Sequence, residues 1–122
     1  MSEESLYLNN IPRNLTDKEK ALLRHLLTGN RVGLTLGLDS AKVFDMNDGG
    51  MGSIRFQAPV GEETRFGAEI AKAFYHDVDK ELVDIAVNID EQGRLFEIDF
   101  WKVDYSKLIQ YPEPNQLELR ND

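Results

Sequence analysis

The chain contains no cysteine. That excludes a disulfide framework, a thiolate nucleophile and a cysteine-ligated metal. Histidine is scarce: His25 and His76 are the two in 122 residues, and neither stands in a ligand motif such as H-E-x-x-H. No serine occupies a nucleophile elbow, and no basic aromatic platform for single-stranded nucleic acid is present. No apolar run approaches the roughly 18 residues of a membrane span. Met1-Ser2-Glu3-Glu4-Ser5 carries neither a basic nor an apolar signal region, which predicts no secretory signal and a cytoplasmic location. Basic residues are outnumbered, 14 Lys and Arg against 22 Asp and Glu, for a net charge of −8.

That charge is unevenly spread. Asp77 to Asp104 holds nine acidic residues and three basic ones, −6 of the −8. Arg13 to Arg31 reverses the sign, with five basic residues against Asp17 and Glu19. An acidic field repels nucleic acid and anionic membranes and speeds encounter with basic proteins. Solubility alone also accounts for such a surface. The length fits one domain, and 41% apolar content is adequate for a single core.

The most regular stretch is Arg94 to Asp104. Phe96, Ile98 and Phe100 alternate with Glu97, Asp99 and Trp101, the period of a half-buried β-strand. Leu82 to Ile89 alternates in the same way. Asp90-Glu91-Gln92-Gly93 joins the two as a hairpin turn, with Gly93 in the left-handed position. This pairing brings Asp84, Glu97, Asp99 and Trp101 together on the polar face of the hairpin.

Upstream, Thr16 with Glu19 forms a capping box. Leu22, Leu23, Leu26 and Leu27 make one apolar stripe, so a helix is predicted over Asp17 to Thr28 with Gly29 at its end. Arg31 to Leu38 is ambiguous between a glycine-softened strand and an extended connection. Ala41 to Met46 and Ile54 to Phe56 read as strands around Asn47-Asp48-Gly49-Gly50-Met51-Gly52-Ser53, a hairpin turn. Gly52 suggests a bulge there. That loop lacks the elements of a phosphate-binding P-loop, which favours a structural turn over an anion site. Residues 66–76 fit either a helix stripe or a strand face, with strand preferred. Residues 1–12 read as an arm pinned by Leu6, Tyr7, Leu8 and Ile11, and residues 112–122 as a partly mobile tail.

Two readings of the acidic face follow. Glu97 and Asp99 are spaced for acid–base work, or for a metal if Asp84 or Asn88 joined them. Against this stands a simple solvated strand face. Trp101 is either covered by the C-terminal segment or free as an interface anchor, a role in which Trp is enriched.

Met46 to Ser53 and Leu95 to Asp104 resemble segments of a family of small, uncharacterised bacterial proteins, and the resemblance covers roughly residues 40 to 110. It implies an immunity role beside polymorphic or contact-dependent growth-inhibition toxins, many of which are basic nucleases. It carries over no catalytic residues.

The sequence therefore predicts an α+β fold, one N-terminal helix packed on an antiparallel meander of four to six strands. It predicts a non-enzymatic immunity protein, with no cofactor or metal, that neutralises a basic toxin through Asp77, Asp79, Asp84, Glu97, Asp99 and Trp101. A small metal-dependent or acid–base hydrolase using Glu97 and Asp99 is the first alternative. A self-associating structural module is the second, with a monomer favoured.

Overall fold

The computed structural model describes residues 11–120. Leu6, Tyr7 and Leu8, expected to pin the N-terminal arm, lie outside the described residues. The chain runs through β1 (Arg13–Asn14), α1 (Asp17–Leu26), a 3-10 segment (Gly29–Thr35), β2 (Lys42–Asp45), β3 (Ile54–Phe56), β4 (Phe66–His76), β5 (Leu82–Asp90), β6 (Leu95–Lys102), a 3-10 turn (Pro114–Gln116) and β7 (Glu118–Leu119).

Thr16 starts α1 as expected. Its hydroxyl accepts from the Glu19 N–H at 3.1 Å, and the Glu19 carboxylate accepts from the Thr16 N–H at 2.8 Å. The helix ends at Leu26, two residues earlier than predicted, with the Leu27 N–H on Leu23 O. Gly29, at φ +63°, instead turns the chain into the 3-10 segment. That segment, followed by turns through residue 40, makes residues 31–38 neither the strand nor the extended connection expected. In a strand Leu36 and Leu38 would share a face, but Leu36 is 81% exposed and Leu38 2%.

All seven strands join one antiparallel sheet in the order β1-β2-β3-β6-β5-β4-β7. This exceeds the four to six expected, because β1 and β7 are two residues each and so short a strand has no period to read. Nor is the sheet a plain meander. The β2–β3 hairpin docks on β6, and the chain crosses to the far side before returning through β4 and β5. The helix is the second element, following β1. Residues 66–76 are a strand throughout.

One face of the sheet carries Ala73, Tyr75, Val83, Ile85, Val87, Ile98 and Phe100, packed with Leu22, Leu23, Leu26 and Leu27 from the helical side. Burial of each large apolar side chain is worth about 1.5–3 kcal/mol, so this layer dominates stability. One predicted core residue, Phe96, is buried at 5% exposure but lies outside the main core cluster. Asn88 pairs with Glu97 and Ile89 with Leu95, which leaves Phe96 as the extra residue of a bulge. Leu95 packs on the core instead, while the Phe96 ring lies beneath the Arg55 guanidinium at 4.8 Å.

Gly52, at φ +109°, sits in the β2–β3 loop ahead of β3, so it is a turn residue and not a bulge within the strand. The Asp48 carboxylate fills that loop, accepting from the Met51 and Ser53 N–H groups at 3.1 and 2.9 Å. The loop's own acid thus takes the donors that an anion would have needed. Tyr111 and Leu117 pack on the core, and β7 pairs with β4.

Candidate functional site

The helical segments gather on the core side of the sheet, around α1. The opposite face is built by strand register alone. Phe74, Asp84 and Trp101 form one row across β4, β5 and β6, and Lys72, Ala86 and Asp99 form the next. In the third row Glu69, Asn88 and Glu97 continue to Arg55 on β3.

A cavity of about 410 Å³ opens on this face, within the size range of small ligand sites. Ala86 is its floor, because its side chain stops at Cβ while every neighbour stands taller. Trp101, Asp99 and Asp84 wall it from β6 and β5, and Lys72 and Arg120 from the β4 side. Arg120, just beyond β7, is held by its N–H on Lys72 O at 3.0 Å. Its guanidinium donates to Asp84 Oδ1 at 2.9 Å and stacks 4.4 Å above the Phe74 ring. Glu69, also at the rim, pairs with Lys72 at 3.2 Å.

Among the described residues, Asp99 is the carboxylate of this cavity that has no ion pair of its own. It accepts one bond, from Asn88 Nδ2 at 2.8 Å. Burial, and then the neighbouring Glu97 carboxylate, push its pKa up to about 6. Glu97 is different. It is buried and accepts from Arg55 Nε at 2.8 Å. Two adjacent carboxyls therefore share one guanidinium. Glu97 does not line the cavity, so the two acids do not face one substrate as paired-carboxylate hydrolysis needs. Among the described residues no group of three or more His, Asp or Glu side chains is placed to hold a metal ion.

Trp101 is 47% exposed. The C-terminal segment covers it only in part, through an edge contact with Tyr105 at 6.2 Å. Tyr105 is itself exposed and held at φ +62°.

The six acidic and aromatic positions expected to bind a partner thus separate. Asp84, Asp99 and Trp101 meet around the cavity, and Glu97 stands behind them as the mate of Arg55. Asp77 and Asp79 do not join them. They bind Lys102 Nζ at 3.0 and 2.7 Å, and the Lys102 and Asp77 side chains are both fully buried. Lys102 has the parity of Ile98 and Phe100, so it points to the core side. Asp77 also accepts from the Ile109 and Gln110 N–H groups, at 2.8 and 3.0 Å. It is a structural hub that ties the C-terminal segment to the β4–β5 turn, which corrects its expected role as a contact residue.

Sequence reasoning missed Lys72, Arg120 and Ala86. Ala86 was readable as the one small residue among Asp84, Ala86 and Asn88, and Lys72 shares its row. Arg120 gave no signal, since nothing in the sequence places the chain end beside β4.

The chain matches no curated protein and no solved structure. A model for a domain of unknown function (DUF6984) matches residues 12–112, from the start of β1 to just past β6 and the segment that Asp77 holds. The chain therefore belongs to the DUF6984 family.

Proposed function

We propose that this protein is a binding module that captures a basic protein on its helix-free sheet face, and that the partner is a toxin which it neutralises as an immunity protein. The observation that carries the binding reading is Trp101, a half-exposed indole beside Asp84 and Asp99 at the mouth of a cavity. Large aromatic side chains ringed by polar groups are the usual anchors of protein interfaces. The acidic surplus of β5 and β6 steers a positively charged partner toward that anchor. The toxin as partner rests on the resemblance of the Met46–Ser53 and Leu95–Asp104 segments to proteins of such systems.

The test is co-expression. Reading frames adjacent to the gene are expressed alone and with this protein. The proposal expects one that is toxic alone, harmless in company and recovered in a stable complex. Toxicity undiminished by this protein in every such frame overturns the immunity role.

A second reading has one observation in its favour. Asp99, with a pKa near 6 in a cavity, is suited to proton transfer near neutral pH. It predicts a hydrolytic activity that rises through pH 6 and disappears in Asp99→Asn. An absence of turnover across ester, phosphoester and glycoside substrates counts against it.

A further inference from the structure

The cavity above Ala86 holds a particular arrangement of charge. Asp84 is neutralised by Arg120 and Glu69 by Lys72. Asp99 and Glu97 together have Arg55, so this carboxyl pair keeps one negative charge to spare when both are ionised. The spare charge lies on the cavity side, since Asp99 lines the cavity and Glu97 does not. Asn88, 5% exposed, stands behind Asp99 and donates to it through Nδ2. Its Oδ1 is buried with no hydrogen-bond partner among the described residues. Asn88 does not itself line the cavity, so the acceptors offered there are the two oxygens of Asp99, which suit a planar group with several N–H donors. The adjoining wall is the half-exposed Trp101 indole, whose face attracts a flat cation. Arg120 already shows the same chemistry two strands away, with its guanidinium bonded to Asp84 and laid on the Phe74 ring.

We infer that this cavity is a guanidinium pocket that receives an arginine side chain of the partner, seated on Ala86, stacked against Trp101 and paired with Asp99. The inference rests on the reading that this face binds a basic protein, and it names the group that is gripped. Arginine fits better than lysine, because a planar fork serves two acceptors and stacks on an indole, whereas an ammonium does neither as well. Charge on the pocket is set by Asp99 and Glu97 from β6, Asp84 from β5, Glu69 and Lys72 from β4, Arg55 from β3 and Arg120. Burial and Glu97 push the pKa of Asp99 up to about 6, so binding weakens below about pH 6.

The experiment uses the intact protein and N-acetylarginine amide as the probe. Trp101 is the single tryptophan of the chain, so its fluorescence reports the pocket directly. The expected result is a saturable change in emission with this probe, about tenfold weaker or more with the neutral isostere N-acetylcitrulline amide. Ala86→Leu, which fills the floor without altering any charge, should abolish the response. Its far-ultraviolet circular dichroism and melting cooperativity establish that it is folded. Asp99→Asn should weaken binding and flatten its pH dependence. A response equal for the arginine and citrulline probes, no saturable response, or a response kept in folded Ala86→Leu overturns the inference. The binding role of the face is judged separately, by whether folded Trp101→Ala still rescues a toxin in co-expression. No probe response from wild-type protein, with rescue lost in Trp101→Ala, sinks the pocket and spares the face.

Discussion

Lys102 is a charged side chain in the place of a core residue. Burial pulls its ammonium down, but bonds to Asp79 and Asp77 outweigh that and hold it above the usual lysine range. Burial likewise pushes Asp77 up, and its bonds from Ile109, Lys102, Val78 and Gln110 reverse the direction. Removing one partner of a buried pair strands the other. Asp77→Ala should therefore destabilise the fold by about 3 kcal/mol or more in chemical denaturation, and free the segment around Ile109 to hydrogen exchange. A loss below about 1 kcal/mol would show that the cluster is dispensable. The folded pKa of Asp77 lies below its unfolded value of 3.8. Its contribution is thus complete above that value and is lost as pH falls through the folded pKa. Asp99 has the opposite sign. Its folded pKa of about 6 exceeds the unfolded 3.8, so stability is lost as pH rises through that window. Asp99→Asn keeps an acceptor for Asn88 and removes the charge. We expect it to match wild type in thermal melts at pH 4 and to exceed it at pH 7 by about 1 kcal/mol, the shift discounted for partial exposure. A pH-independent difference would mean that Asp99 titrates as an ordinary aspartate.

At the scale of elements, the β4–β5 hairpin depends on a close approach. A Cβ added at Gly67 would stand 2.4 Å from Asp90 O, at the bulge between Phe66 and Ala68. Gly67→Ala should cost about 1–3 kcal/mol and speed amide exchange near Arg65 and Glu91, whose backbones bond at 3.0 Å. Unchanged exchange there would contradict the packing. Capping of α1 gives a gentler test, with Thr16→Ala losing about 1 kcal/mol. The long elements were legible because each obeys a period: β5 and β6 alternate, and α1 repeats its leucines. What escaped has no period. The two-residue β1 and β7 add little local pattern, and the Phe96 bulge is a property of pairing with β5, which one strand's sequence does not display. The same limit divides the site. Asp84, Asp99 and Trp101 share a face by alternation and were foreseen together. Asp77 and Asp79 looked equivalent to them in charge, and only the parity of Lys102 hinted that their partner lay inside.

For the whole molecule, the −8 charge matters less than where it is left unspent. Arg13 takes up Glu19 and Asp45, Lys102 takes up Asp77 and Asp79, and Arg94 takes up Asp90 and Glu62. Each of these cations meets two carboxylates, so these clusters also keep one negative charge apiece, at the core side, the edges and the hairpin end. The spare charge of the Asp99–Glu97 pair faces outward beside Trp101. A basic partner should consequently associate more slowly as salt rises, and Asp99→Lys should slow association by about tenfold at low salt. A rate insensitive to both would remove this face from the account. The central claim, that this face is the working surface, is tested most directly by toxin rescue with three proteins side by side: wild type, Trp101→Ala and Ala86→Leu. The account predicts rescue by wild type and failure by both variants, each shown to be folded by its melting transition. Rescue by the folded variants at the wild-type level would contradict it and move the search to the helical side of the molecule.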